Sequence, residues 1–225
     1  MKLQEKLDAM RKDFENGRFA LVPTQAQIDT IQRATQSLID SRQADHALEV
    51  GDKAPDFTMR DAGVIAVSLR ELLAQGPLVA TFYRGLWCPY CNYDLQALEE
   101  VRPKIEARGA RLVAISPQTQ ANSRKSQRDN KLDFPILSDP GAAVADKFGL
   151  RFSLSNDVIE VYRQFGADLE KINDDPSDAL PMPARYVIGT NGVIAYAEVN
   201  PDYTRRPDPC ELLPVLDRLR AGVAA

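Results

Sequence analysis

The stretch Phe82-Tyr83-Arg84-Gly85-Leu86-Trp87-Cys88-Pro89-Tyr90-Cys91 decides how the rest of the chain is read. It follows a short apolar run, Leu78-Val79-Ala80-Thr81, with the β-branched and aromatic character of a buried strand, and it precedes a long helical pattern. Cys88 and Cys91 therefore fall at a strand-to-helix turn. A thiol there faces unpaired backbone N–H groups and the positive end of the helix dipole, which favour thiolate over thiol. Pro89 fits the first helical position, where its missing N–H is no loss, and this makes Cys88 the cap. A capping sulfur can accept from the N–H groups of Tyr90 and Cys91, which marks Cys88 as the lower-pKa nucleophile and Cys91 as its resolver.

Two cysteines separated by two residues on a strand–turn–helix pattern read as a redox dithiol. A structural zinc site would need about four ligands. The remaining inventory is Cys210 and a single histidine, His46, so no metal and no cofactor is expected. Inert, buried cysteines are the plainer alternative.

Working outward, 225 residues suffice for one large domain, or one domain with an extension, that needs no staple. A net charge of −4 with scattered basic residues argues against nucleic-acid and anionic-membrane partners. The opening MKLQEKLDAMRKDFE is charged throughout, unlike a signal peptide, and no run approaches the ~20 apolar residues of a membrane span. Three cysteines, an odd and low count, point to a reducing compartment, and the cytoplasm is expected.

Residues 1–47 read as a helical extension and 48–225 as the main domain. Leu3, Leu7, Met10 and Phe14 form one stripe, and Ile28, Ile31, Leu38 and Ile39 a second, entered at Pro23-Thr24. Such faces pack on the main domain or on a second subunit, as in a homodimer. Ser68-Leu69-Arg70-Glu71 has the spacing of a capping box, Arg111–Ile115 reads as a buried strand, and Thr119–Asn130 as an outer helix. Residues 151–182 have weak periodicity and an acidic stretch, and are expected to be a solvated surface insertion. Thr190-Asn191-Gly192 between two apolar runs signals a hairpin, followed by a last helix bearing Leu212, Leu213, Leu216 and Leu219. Strands alternating with helices, ending in hairpin plus helix, imply an α/β fold with a mixed central sheet and helices on both faces.

These elements in this order resemble the thioredoxin fold, and more narrowly the peroxiredoxin-like proteins of the alkyl hydroperoxide reductase and thiol-specific antioxidant superfamily. The resemblance covers about residues 50–222. It is carried by Gly51-Asp52-Lys53-Ala54-Pro55-Asp56-Phe57, Val67-Ser68-Leu69, the stretch around the two cysteines, and Met182-Pro183-Ala184-Arg185-Tyr186-Val187-Ile188. Peroxiredoxins show F-Y-P-x-x-x-[T/S]-x-x-C. In that register Arg84 replaces the proline, Cys88 the hydroxyl residue, and Cys91 the attacking cysteine, so the resemblance and the helix-cap argument assign the attack differently. The family's distant arginine would fall near Pro183, with Arg185 two residues on. A thioredoxin-like cis bond at Met182-Pro183, lying against the dithiol, is also implied.

Three functions follow, in order. The first is a thiol peroxidase reducing hydrogen peroxide or alkyl hydroperoxides through Cys88 and Cys91, recycled by a thioredoxin-type donor, with Arg84 and Arg185 stabilising thiolate and leaving oxygen. The second is an oxidoreductase acting on protein disulfides, with Trp87 and Tyr90 as exposed contact residues. The third is a non-catalytic interaction module.

Overall fold

The computed structural model describes residues 2–18 and 22–222. The chain opens with α1 (Leu3–Glu15) and α2 (Gln25–Asp40), then a hairpin of β1 (Thr58–Asp61) and β2 (Ala66–Ser68) leading into the short α3 (Leu69–Leu73). The Ser68 hydroxyl accepts from the Glu71 N–H at 3.2 Å and the Glu71 carboxylate from the Ser68 N–H at 3.1 Å, the reciprocal capping that the spacing predicts. β3 (Leu78–Phe82) feeds α4 (Pro89–Glu106), after which come β4 (Arg111–Ser116), α5 (Gln120–Asn130), β5 (Ile136–Ser138) and α6 (Ala143–Lys147). The next stretch holds β6 (Arg151–Ser153), α7 (Asn156–Gln164), α8 (Leu169–Asn173) and β7 (Ala179–Pro181). β8 (Ala184–Ile188), β9 (Ile194–Val199) and α9 (Leu212–Arg220) close the fold.

Seven strands form one mixed sheet in the order β2-β1-β5-β4-β3-β8-β9. β3 runs parallel to β4 and antiparallel to β8, so the strand that delivers the two cysteines is paired on both edges and buried along its whole length. Side-chain alternation divides its two faces. Val79 and Tyr83 face a core built with Leu95 and Leu98 of α4 and Leu212 and Leu216 of α9. Leu78, Ala80 and Phe82 face the opposite core, with Leu69, Leu72, Val144 and Phe148. β8 and β9 form the expected hairpin, turned at Gly192 with φ +76°.

The N-terminal helices pack on this body. Leu3, Leu7 and Met10 of α1 join the core that contains α4 and α9. In α2 the predicted stripe is half used: Ile28 and Ile31 are buried, but Ile39 is 39% exposed. Ile31 packs with Val158, Val161 and Tyr162.

That last contact corrects the expectation for residues 151–182. They are not a solvated insertion: Val158, Tyr162, Leu169 and Leu180 are all buried. Val158, Val161 and Tyr162 stand at i, i+3 and i+4, a short apolar face that the flanking acidic residues obscure in sequence. The cis bond expected at Met182-Pro183 is also corrected, since no cis peptide bond occurs among the described residues. This segment runs on from β7 into β8 as extended chain, with the Met182 N–H donating to the Leu150 carbonyl at 2.8 Å and the Pro183 carbonyl accepting from Asn200 at 3.1 Å. Those partners hold a trans geometry, the default for X–Pro bonds. Among the described residues no helix is long and apolar enough to cross a membrane.

Candidate active site

The turn from β3 to α4 brings Cys88 and Cys91 just beyond the C-terminal end of this interior strand. Gly85 adopts φ +145°, and a Cβ there would lie 2.6 Å from the Trp87 indole nitrogen, so only glycine fits beneath that ring. Gln118 pins the turn from β4's side, accepting from the Leu86 N–H at 2.9 Å and donating to the Tyr83 hydroxyl at 2.7 Å. Cys88 then caps α4 with Pro89 in the first turn. No full capping hydrogen bond closes on its sulfur, so the sequence expectation is met only in part: the Cys91 N–H favours the thiolate weakly.

Both sulfurs are buried, Cys88 at 1% and Cys91 at 0% exposure, and both are free thiols. Burial alone would push the Cys88 thiol up. It is outweighed by the Cys91 thiol as hydrogen-bond partner and by the guanidinium groups of Arg84 and Arg206, with the Cys91 N–H a smaller aid, and Cys88 is lowered to about 6. Cys91 moves the opposite way: burial raises it, and so do its hydrogen bond to Cys88 and the Cys88 charge. The two sulfurs thus form a coupled pair in which one takes the negative charge at the other's expense.

The cations are buried too. Arg84 is 2% exposed, and its guanidinium carbon lies 4.0 Å from the Tyr203 ring centre, 4.6 Å from Trp87 and 5.2 Å from Tyr162. It donates to the Tyr162 hydroxyl, and among the described residues no carboxylate pairs with it. Arg185 forms a buried ion pair with Asp94 and donates to the Pro207 carbonyl at 3.2 Å. Arg206 lies 3.4 Å from Asp94 through Nε and reaches the Cys91 sulfur through Nη2 at 3.6 Å. Among the described residues, three buried guanidinium groups are thus set against one fully buried carboxylate, Asp94, and the half-buried Glu198 across from Arg185. The imbalance favours a thiolate as the remaining counter-charge.

A cavity of about 740 Å³ opens beside Cys88. Its wall includes Met10, Arg84, Trp87, Tyr162, Phe165 and Tyr203, with Asn122, Lys125 and Asp129 among its polar residues. Cys88 lines it and Cys91 does not. Of the residues singled out in sequence, Arg84, Trp87 and Cys88 therefore share one wall. Arg185 stands away from the cavity, held on Asp94, and Pro183 is not part of the lining. Neither arginine is a surface residue. Trp87 is half-buried and Tyr90 buried, so neither is the exposed contact residue that a disulfide exchanger would present.

Four residues escaped the sequence reading: Asp94, Tyr162, Tyr203 and Arg206. Asp94 carried a signal, because it follows Cys91 by three residues on the face that also bears Leu95 and Leu98. The others come from segments more than 70 residues away and had none.

Sheet order, the helix-start cysteine pair and buried arginines together define a thioredoxin-fold protein with a dithiol site. The chain belongs to the AhpC/TSA family, whose model matches residues 50–197. It is 30% identical over 146 residues to the chloroplast peroxiredoxin Q of Oryza sativa subsp. japonica, covering 65% of this chain and 57% of the rice protein. It is 24% identical over 104 residues to the thiol-disulfide oxidoreductase ResA of Bacillus cereus, covering 46% of this chain and 59% of ResA. The chain thus spans less than two thirds of either relative. Among solved structures, peroxidoxin BcpB from Mycobacterium tuberculosis superposes with a TM-score of 0.60 at 22% identity, covering 77% of this chain and 97% of that one. AhpC from the same organism gives 0.60 at 17% identity, with 80% and 97% covered. At these identities the structures share the fold.

Proposed function

We propose that this protein is a thiol peroxidase in which Cys88 attacks and Cys91 resolves, acting on hydrogen peroxide or organic hydroperoxides and recycled by a thioredoxin-type dithiol. The observation that carries the reading is the position of Cys88: a sulfur lowered to about 6 that lines a small-molecule-sized chamber while being 1% exposed. A chamber of about 740 Å³ admits a hydroperoxide with an apolar group.

In the first step the Cys88 thiolate attacks the terminal oxygen of ROOH, the O–O bond breaks, and the leaving RO⁻ takes a proton to become ROH. Cys88 is left as sulfenic acid. Oxidation removes the Cys88 negative charge, one of the influences that raise Cys91, while Arg206 remains beside the Cys91 sulfur. Cys91 can then ionise and attack the Cys88 sulfur, expelling hydroxide, which leaves as water once protonated, and forming the disulfide. An external dithiol reduces that disulfide by exchange.

A second reading, exchange with protein disulfides, is favoured by the C-x-x-C spacing and by the similarity to ResA. It ranks below the first because a protein disulfide must touch the attacking sulfur, and both sulfurs are buried. The cytoplasm is the compartment proposed, on the strength of an odd and low count of three cysteines, unlike a secreted disulfide framework. The deciding experiment compares turnover of hydrogen peroxide and cumene hydroperoxide with reduction of insulin disulfides by the same protein. Peroxide turnover without insulin reduction is expected. Insulin reduction alone would favour the second reading, and neither activity in the fully reduced protein would favour a non-catalytic module.

A further inference from the structure

Helix α1 and the segment that follows β9 both lie outside the stretch matched by the family model, residues 50–197. They meet over the dithiol. The loop after β9 supplies two groups of the site, Tyr203 stacked on Arg84 and Arg206 against the Cys91 sulfur. The loop braces itself only in part. Asn200 accepts from the Asp202 N–H at 3.0 Å, and Asp202 accepts from the Thr204 N–H at 3.0 Å and the Thr204 hydroxyl at 2.7 Å.

Asp94 holds the Arg206 guanidinium from α4 and Arg185 the Pro207 carbonyl from β8, and a further grip, on the loop's backbone, comes from α1. The side-chain oxygen of Gln4 accepts from the backbone N–H of Arg206 at 2.9 Å, and its nitrogen donates to the Thr204 carbonyl at 3.3 Å. That nitrogen also donates to Asp8 at 2.9 Å, and Asp8 lies 3.5 Å from the Arg205 guanidinium. Leu3 and Leu7 anchor the same helix in the core shared with Cys88 and Cys91, and Met10 lines the Cys88 cavity. A helix anchored by one buried face therefore grips the loop on the residue whose side chain reaches the second sulfur.

We propose that α1 is a positioning element of the reaction site, with Gln4, supported by Asp8, setting the register of the 202–206 loop so that Arg206 meets Cys91 and Tyr203 covers Arg84. The grip is made to the backbone of Arg206, so a slip of one residue in this loop would carry the guanidinium away from the sulfur. The consequence for turnover rests on the peroxidase reading, whereas the consequence for thiolate formation does not.

The test measures ultraviolet thiolate absorbance against pH, together with hydroperoxide turnover, for the full-length wild type, Gln4→Ala, Arg206→Met and the double variant. Lys12→Ala, exposed on the same helix, serves as control. Gln4→Ala is expected to move the thiolate transition up by about one unit, in the same direction as Arg206→Met. The double variant should shift no further than Arg206→Met alone, because both changes act through one group. Circular dichroism and thermal unfolding establish that each variant is folded, and Gln4→Met, which fills similar space without the amide, should shift the transition as Gln4→Ala does. An unmoved transition in folded Gln4→Ala, or shifts that simply add in the double variant, would overturn the proposal. A wild type that titrates as expected but turns over no hydroperoxide would sink the peroxidase reading and leave this one standing.

Discussion

Arg206 and Asp94 stand 3.4 Å apart in the interior, and Asp94 also holds Arg185, so one carboxylate fixes two buried guanidinium groups. Breaking such an arrangement from the acidic side leaves cations without a partner, which is more damaging than losing an exposed pair. Asp94→Ala is expected to destabilise the protein by about 3–5 kcal/mol, read from urea unfolding. Asp94→Asn, which retains acceptor capacity, should lose less. A loss below about 1 kcal/mol in Asp94→Ala would mean that water readily replaces the carboxylate.

The order of the two sulfurs is the second point to test. Cys88 is lowered to about 6, against an unfolded thiol near 8.5. The rate of sulfenic acid formation should therefore rise with pH through about 6 and level off above it. The stability that this group contributes is full above the unfolded value and lost as pH falls through about 6. With stoichiometric peroxide, Cys91→Ser should form trappable sulfenic acid and Cys88→Ser should not. The reverse pattern would restore the assignment that the family register suggests, with Cys91 attacking.

Much of this site is legible in the sequence because it is local. A buried strand, a turn, a proline in the first helical turn and two cysteines lie within fourteen residues, and each element constrains the next. Gly85 and Pro89 announce the turn and the helix start by their own conformational limits. The electrostatics are not local. Arg206 is 115 residues from Cys91, and Tyr162 is 78 from Arg84, so no periodicity connects them. The trans bond at Met182-Pro183 shows a different failure: a feature carried over from thioredoxin resemblance lost to the hydrogen bonds of Met182 and Pro183 in this sheet. In α7 the signal was present, but four apolar positions in nine residues were outweighed by the polar residues around them.

Arg84 should be the least replaceable of the supporting groups. It lies among three aromatic rings and donates to Tyr162, a planar arrangement that an ammonium group cannot reproduce. Arg84→Lys and Arg84→Met are both expected to raise the Cys88 thiolate transition and to slow peroxide reduction near neutral pH by about tenfold or more, roughly 1.4 kcal/mol of barrier. Retention of wild-type rates by Arg84→Lys would mean that charge alone, without the stacking, is enough.

Cys210 is expected to take no part in turnover. It is exposed on the 3-10 turn Pro209–Glu211 that precedes α9, its N–H held by Asp208 at 2.9 Å, and it does not line the Cys88 cavity. Partial burial and the neighbouring Asp208 raise its pKa, the opposite of what an attacking thiol needs. Cys210→Ser should leave peroxide turnover within about tenfold of wild type. A larger loss would identify it as a resolving residue.

The last prediction concerns Glu198 on β9, directly across from Arg185 in the β8–β9 register. Burial pushes its carboxyl up to about 7; Arg185 and Arg206 pull it down without overcoming that, and Asp94 and Glu211 add to the rise. A carboxyl whose folded pKa lies above its unfolded value of about 4.3 binds its proton more tightly in the native state. Its contribution is therefore fully present below the unfolded value and lost as pH rises through about 7. Cys88 acts in the opposite sense over part of the same range, so the wild-type stability curve alone does not isolate either group. The difference between wild type and Glu198→Gln does, because the glutamine cannot ionise. Urea unfolding should find Glu198→Gln more favourable relative to wild type at about pH 8 than at about pH 5. A pH-independent difference between the two would show that Glu198 is already ionised at the acidic end, drawn down by the two arginines rather than held neutral by its burial.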